Sequence, residues 1–180
     1  MGLRNTIWFY STAIDVVVID QLTKYLARQS LAHKSVTLIP GLLDLRLAYN
    51  TGAAFSILPN WAPLFILVGL VAIYAIVKLR RAGSGSLWVS LGLGMLLGGA
   101  IGNLIDRIAF PGRGVTDFID LHIRIKGTMQ AWPTFNIADA AIVIGALLVL
   151  FHVYIIEKRR CQASGEQVGD DGYDQDQTQN

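Results

Sequence analysis

Three aspartates in the second half of the chain are the residues best suited to chemistry. Asp117 and Asp120 lie three residues apart in one connection, and Asp139 lies at the start of the next apolar segment. Two carboxylates held close together cannot both ionise easily, so the pair shares one proton and supplies one acid and one base. Aspartic proteases activate water in this way. Spacing does not choose between Asp117 and Asp120, and helix capping is an alternative role for Asp139.

A second group of ionisable residues lies within apolar sequence, where charges are costly and mark functional sites by default. Asp20 and Lys24 are four residues apart, so they share a helix face within pairing distance. The alternative to a functional role is that Asp20 and Lys24 form an ion pair that only stabilises the structure. Asp15 has no local partner, and we interpret it as a neutral residue buried in a helix bundle.

Small residues and then polar residues are concentrated near the end of the third apolar segment. Gly98 and Gly102 form a G-x-x-x-G spacing that allows two helix backbones to approach closely. Asn103 and Arg107 share a helix face, and Asp106 lies between them. Close packing explains the glycines. It does not explain three polar residues together near a helix end.

The elements that position these residues follow from composition. The chain has 180 residues, of which 53% are hydrophobic and 16% charged, and its mean hydropathy is +0.46. These values are typical of a protein dissolved in lipid rather than in water. A helix that crosses a bilayer needs about 20 mostly apolar residues, and four segments reach that length: 7–26, 61–79, 87–108 and 137–156. The predicted fold is an all-α membrane protein with four transmembrane helices and a small extracytoplasmic β-rich segment.

The β-rich segment is predicted between the first two helices. Apolar and polar residues alternate through 43–50, the period of two that indicates a half-buried strand. Asn50, Thr51 and Gly52 then favour a turn, because Asn and Gly tolerate positive φ at low cost. An ordinary loop is the alternative for this whole segment.

Four crossings place both termini on the same side of the membrane. Basic clusters at Lys78, Arg80 and Arg81 and at 158–160 indicate that this side is the cytoplasm. The first apolar segment is expected to be a permanent helix and not a cleaved signal peptide, because Asp15 and Asp20 interrupt it. Residues 1–160 then form one transmembrane domain, and 161–180 form an acidic, disordered cytoplasmic tail.

Five segments together resemble the bacterial lipoprotein signal peptidases, also called signal peptidase II. They occur in the order found in that family, with apolar sequence between them, over residues 20–156. The connection 108–116 is longer than in some members. The segments are Asp20-Gln21-Leu22-Thr23-Lys24, Asn50-Thr51-Gly52-Ala53-Ala54-Phe55, Gly98-Gly99-Ala100-Ile101-Gly102-Asn103-Leu104-Ile105-Asp106-Arg107, Val115-Thr116-Asp117-Phe118 and Phe135-Asn136-Ile137-Ala138-Asp139.

The resemblance implies a membrane aspartic endopeptidase that removes signal peptides from prolipoproteins, cutting on the N-terminal side of a diacylglyceryl-modified cysteine. It selects Asp117 and Asp139 as the catalytic pair and leaves Asp120 outside it. Residues that bind substrate or order the site are implied at Asp20, Lys24, Asn50, Gly52, Asn103, Arg107 and Asn136.

The expected partners are the lipid bilayer and the lipid-modified substrate, with no nucleic acid and no cofactor. No metal is expected, because His33, His122 and His152 are scattered without ligand spacing. We expect a monomer in the bacterial inner membrane, with its site near the extracytoplasmic face. An ion-coupled transporter and a non-enzymatic assembly factor are the competing functions, and the latter would leave the carboxylates unexplained.

Overall fold

Four helices and one small antiparallel sheet make up the described part of the chain. The computed structural model describes residues 2–52, 62–82, 86–125 and 128–170. The helices are α1 (Leu3–Ser30), α2 (Ala62–Ala82), α3 (Leu87–Ala109) and α4 (Ile137–Asp170). The strands are β1 (Val36–Ile39), β2 (Leu43–Asn50), β3 (Val115–Ile125) and β4 (Thr128–Ala131), and they pair in the order β1-β2-β3-β4.

Three of the helices are long and apolar enough to cross a membrane. They are α2 with a mean hydropathy of 2.3, α3 with 1.6, and the segment Ile137–Ile156 of α4 with 2.3. Helix α1 forms as predicted, but Asp15, Asp20, Lys24 and Arg28 interrupt its apolar sequence. Composition therefore supports three spans among the described residues. The predicted fourth span stays a prediction.

Helices α1 and α3 approach closely along the glycines of the third apolar segment. A Cβ added to Gly98 would lie 2.7 Å from the carbonyl oxygen of Ala13, and one added to Gly102 would lie 2.6 Å from Oδ2 of Asp20. No side chain fits in either place, so the predicted role of the G-x-x-x-G spacing in close packing is confirmed. The adjoining apolar core contains Phe9, Ala13, Leu93 and Leu97.

Asp15 lies on the face of α1 that points away from α3. Its side chain is exposed, between Ile14 and Val18, which are 61% and 57% exposed. The interpretation of Asp15 as a buried residue is therefore wrong. The physical reason is helical geometry, because Ala13 and Val16 occupy the face that contacts α3.

The sheet joins the connection between α1 and α2 to the connection between α3 and α4. Strand β2 has the bounds predicted from its alternating pattern, and its neighbour is β3. Asp44 pairs with Asp120 and Asn50 pairs with Val115, with a shift in register between Leu45 and Ala48. This pairing brings the end of β2 beside the start of β3, close to Asp117.

The connection between α3 and β3 is shaped by two glycines. Gly112 and Gly114 have φ angles of 85° and 79°, a conformation that only glycine adopts readily. A Cβ on Gly114 would also collide with the carbonyl oxygen of Asn50. This turn directs β3 against the end of β2.

Helix α4 is longer than predicted. It continues to Asp170, so the predicted start of the disordered tail at residue 161 is corrected. The segment after residue 160 contains no proline, and Ala163, Glu166 and Gln167 are residues compatible with a helix. Residues 171–180 lie outside the described part of the chain, and for them disorder stays a prediction.

Candidate active site

Asp117 and Asp139 meet where the start of β3 faces the first turn of α4. Asp117 is 1% exposed, and Oδ1 of its carboxylate accepts a hydrogen bond of 2.6 Å from Nδ2 of Asn136. The backbone N–H of Asn136 donates to Oδ2 of Asp139 over 3.3 Å. Asn136 therefore contacts both carboxylates, and the two aspartates border one cavity.

Asn136 and Asp139 also cap α4. The side-chain oxygen of Asn136 accepts a hydrogen bond of 2.9 Å from the backbone N–H of Asp139, while the Asp139 carboxylate accepts from the Asn136 backbone. This reciprocal pair has the pattern of a capping box. The sequence left capping and catalysis as alternatives for Asp139, and the structure combines the cap with a position beside Asp117.

The pKa of Asp117 is raised from 3.8 to about 7. Burial is the largest cause, and the negative charge of Asp139 adds to it. Hydrogen bonds from Asn136 and Asn50 and the positive charge of Lys24 act in the opposite direction. Near neutral pH, Asp117 is therefore able both to hold and to release a proton.

A buried polar chain supports Asp139 from the side of α1. Asn103 donates from Nδ2 to Oδ1 of Asp139 over 2.7 Å and accepts at Oδ1 from Nζ of Lys24 over 3.0 Å. Lys24 in turn lies 2.8 Å from Asp20, and both side chains are fully buried. Asp20 accepts from the backbone N–H of Ala138 over 2.9 Å. The predicted Asp20–Lys24 pair is confirmed, and it fixes α1 to α3 and α4 below the two aspartates.

Arg107 and Asn50 also line the cavity, and Gly52 contacts both of them. Arg107 donates to the carbonyl oxygens of Asn103 over 3.3 Å and of Gly52 over 3.5 Å. The backbone N–H of Gly52 donates to Oδ1 of Asn50 over 3.1 Å, which confirms the predicted turn. The side chain of Asn50 also makes a hydrogen bond to Asp117, so this turn connects the end of β2 to Asp117.

Asp120 lies apart from this group. It is 3% exposed, and its Oδ2 accepts a hydrogen bond of 2.9 Å from Nε of Arg46. His122 lies 3.8 Å from Asp120 and 2.9 Å from Asp44. We call Asp44, Arg46, Asp120 and His122 the charge square. Strand alternation places it on the sheet face away from Asp117, so Asp120 is not the partner of Asp139. The pKa of Asp44 is lowered, chiefly because Thr37 makes a hydrogen bond to its carboxylate.

Four further residues belong to the site's surroundings although the sequence did not select them for it: Gln21, Arg28, Asp106 and Thr116. Asp106 is fully buried and accepts from the Thr116 backbone N–H over 2.8 Å. Gln21 donates from Nε2 to the carbonyl oxygen of Gly102 over 3.0 Å. Asp106 and Gln21 lie inside two of the segments that carry the family resemblance, and their polarity was the only other signal for them. Arg28 gave none, because its partners lie far along the chain.

The cavity has a polar end and an apolar wall. Its volume is about 580 Å³, within the range of small-molecule sites. Asn50, Asn103, Arg107, Asp117 and Asp139 form the polar end. Leu121, Trp132, Phe135, Ile142, Val143 and Ile144 line most of the rest. Among the described residues, no group of three or more His, Cys, Asp or Glu side chains is arranged to hold a metal ion.

Comparison with known proteins decides the family. Residues 12–155 match the family model described as "Signal peptidase (SPase) II". The chain belongs to the signal peptidase II family. It is therefore a membrane peptidase, and the transporter and assembly-factor alternatives fall away.

The relatives share most of their length with this chain. The lipoprotein signal peptidase of Chlorobium phaeobacteroides is 41% identical over 164 residues, which are 86% of this chain and 95% of the relative. That of Pseudomonas syringae pv. tomato is 36% identical over 175 residues, covering 94% and 95%. A bacterial membrane enzyme solved by the in meso method at 2.3 Å resolution is 31% identical, with a TM-score of 0.72 over 81% of this chain and 87% of that one.

Proposed function

We propose that the chain is an aspartic endopeptidase that cuts prolipoproteins on the N-terminal side of a diacylglyceryl-modified cysteine. The observation that carries the proposal is the pair Asp117 and Asp139 at one cavity, with the pKa of Asp117 raised to about 7. A carboxylic acid that keeps its proton near neutral pH, beside a second carboxylate, is what aspartic proteolysis requires. The relatives' name, lipoprotein signal peptidase, supports the substrate class.

The surroundings of the two aspartates assign their roles at rest. Asp139 accepts hydrogen bonds from Asn103 and from the Asn136 backbone at the positive end of α4, so it is the ionised member and the base. Asp117, with its raised pKa, is the protonated member and the acid.

The reaction follows from these roles. Asp139 takes a proton from a water, the hydroxide adds to the scissile carbonyl carbon, and Asp117 donates its proton to the carbonyl oxygen. In the second step the protonated Asp139 gives its proton to the leaving cysteine nitrogen as the C–N bond breaks. Asp117 meanwhile takes a proton from one hydroxyl of the intermediate. This step forms the carboxylic acid of the product and returns both aspartates to their resting protonation states.

The apolar wall of the cavity suits a lipid-modified substrate. Val143 and Ile144 line the cavity and are also 58% and 48% exposed on the outer surface of α4. The cavity therefore opens sideways toward the region that lipid would occupy. Acyl chains on the cysteine can stay in the bilayer while the peptide bond reaches the aspartates.

We further propose that α1 is a fourth span and that both termini are cytoplasmic in the inner membrane. Exposed apolar residues cover α1 from Leu3 to Leu26, a length that suits a bilayer core of about 30 Å. Lys78 and Arg81 are exposed at the end of α2, as an anchor at the cytoplasmic surface should be. Arg80 instead is only 5% exposed and lies over the ring of Phe9. The protein is proposed to act as a monomer.

Cleavage of a diacylglyceryl-modified prolipoprotein by the purified chain tests the proposal. Asp117→Asn and Asp139→Asn should each lower kcat at least about 100-fold, since each removes a proton-transfer group. Asp120→Asn is the matched control, a buried aspartate three residues along the same strand, and it should cut within a few-fold of the parent. Full activity of either dyad variant would refute the mechanism. A second arm adds EDTA, and activity that is lost and then restored by added metal would also refute it.

A further inference from the structure

Each polar group of Thr116, the residue before Asp117, makes a hydrogen bond. Its backbone N–H donates to Oδ2 of Asp106 over 2.8 Å, and its carbonyl oxygen accepts from Nδ2 of Asn136 over 3.4 Å. Its hydroxyl oxygen accepts a hydrogen bond of 2.9 Å from Nη1 of Arg28. The side chain is fully buried. The position of Asp117 at the start of β3 therefore depends on what holds Thr116.

Arg28 is the part of this arrangement that comes from the far end of α1. Besides Thr116, its Nη1 lies 3.8 Å from Oδ1 of the fully buried Asp106. The guanidinium carbon lies 4.8 Å from the centre of the Phe110 ring, within the range of cation–π attraction. One side chain thus contacts the end of α3, the connection that follows it and the start of β3.

Before Val115, the connection that follows Phe110 has few other side-chain contacts with the interior. Gly112 and Gly114 supply no side chains, and Pro111 and Arg113 are exposed. A backbone bond from Arg113 to the Phe110 carbonyl oxygen, 3.0 Å long, closes the turn locally. The Arg28 contacts therefore fix the start of this turn against α1, while the buried Val115 and the close approach of Gly114 to Asn50 hold its other end.

We propose that Arg28 is a positioning residue for catalysis: it fixes Thr116 and Phe110 so that Asp117 faces Asp139 in the reactive geometry. This inference rests on the proposed role of the dyad. Arg28 does not line the cavity, so it acts through Thr116 and not on the substrate. A planar guanidinium is needed, because one group must donate to a hydroxyl, face a carboxylate and stack on a ring together.

Steady-state cleavage of the lipid-modified prolipoprotein by full-length variants tests the inference. Arg28→Met should lower kcat by about tenfold or more, because a displacement of about 1 Å near reacting groups can cost about 100-fold. KM should stay within about twofold, because the cavity lining is untouched. Arg28→Lys keeps the positive charge but lacks the planar guanidinium, so its kcat should lie between those of Arg28→Met and the parent. The matched control is Arg113→Met, the same substitution at an exposed position of the same connection, which should leave kcat at the parent value.

Substitution of Thr116, whose hydroxyl Arg28 contacts, provides a second test in the same assay. Thr116→Val removes the hydroxyl and should lower kcat as Arg28→Met does, whereas Thr116→Ser should retain most of the kcat that valine loses. The Arg28→Met/Thr116→Val double variant should be no slower than the worse single variant, because both remove one contact.

The outcomes separate this inference from the proposed function. Equal cleavage by the parent and Asp117→Asn would refute the function, and the inference with it. An inactive Asp117→Asn beside an Arg28→Met with parental kcat would refute the inference alone. A loss in Arg28→Met that disappears at a temperature well below its unfolding transition would also overturn it, because the role would then be structural only.

Discussion

Asn136 is the residue whose replacement tests the proton assignment of the dyad most directly. Its amide lies 2.6 Å from the Asp117 carboxylate and stabilises the ionised form. Removing this donor favours the protonated form, so the pKa of Asp117 must rise above its value of about 7. In the proposed mechanism Asp117 acts as the protonated member, so activity is expected to fall as pH rises through that pKa. The alkaline limb of the pH–rate profile should therefore move upward in the variant.

The size of the shift follows from the strength of the bond. A hydrogen bond to a charged group contributes about 1.5 to 3 kcal/mol, and about 1.36 kcal/mol corresponds to one pKa unit. The alkaline limb should move by about one to two units, from about 7 in the parent to about 8 or 9 in the variant. The limb reports the coupled pair and not one isolated group.

Two substitutions separate this effect from the loss of the α4 cap. Asn136→Ser keeps a side-chain oxygen that can accept from the Asp139 backbone N–H, but it cannot reach Asp117. Asn136→Ala loses both contacts and should cost about 1 kcal/mol more in unfolding free energy. The assay is kcat/KM for prolipoprotein cleavage from pH 5 to 10, with thermal unfolding measured in parallel. An alkaline limb that stays in place in Asn136→Ser would refute the reasoning.

Three further substitutions have expected outcomes. Gly102→Ala places a Cβ 2.6 Å from Oδ2 of Asp20, so overpacking should cost about 1 to 3 kcal/mol, measured as a lower unfolding temperature. Lys24→Met leaves the fully buried Asp20 without its cation and should lower the unfolding free energy of the protein by about 3 to 5 kcal/mol. Adding Asp20→Asn should restore part of this stability, and a double variant as unstable as Lys24→Met would contradict the ion-pair account. Trp132→Ala, at the cavity wall, should raise KM for the lipid-modified substrate severalfold with little change in kcat; an unchanged KM would exclude a binding role.

The sequence was most informative where one periodicity governs a whole segment. The alternation through 43–50 predicted β2 with its observed bounds, and apolar length predicted α2, α3 and the apolar part of α4. All four residues of strand β1 are exposed rather than buried, so no buried face leaves a pattern in its sequence. Strand β3 is mixed, with Thr116, Asp117 and Asp120 buried among apolar residues, and period two does not describe it.

The site was predictable where residues fall within short motifs and not where contacts join distant segments. Asn136 and Asp139 are three residues apart, and one helical turn explains both their cap and their place in the site. The contact of Arg28 with Thr116 joins residues 88 positions apart, and no local pattern encodes it. Asp120 and Asp117 were equivalent by spacing; the family resemblance selected Asp117, and the pleat of β3 and its register with β2 supply the physical reason.

The charge square constrains how this sheet can change during evolution. Asp44 and Asp120 are directly paired across β2 and β3, an unfavourable arrangement of like charges by itself. Each carboxylate has a side-chain partner on the other strand: Asp44 contacts the ring of His122, and Asp120 contacts the guanidinium of Arg46. A change at one position therefore removes the partner of a polar side chain on the opposite strand. Among relatives that keep this register, positions 44 and 122 should vary together, and so should positions 46 and 120, whereas position 117 on the other face of the sheet should vary independently of both pairs.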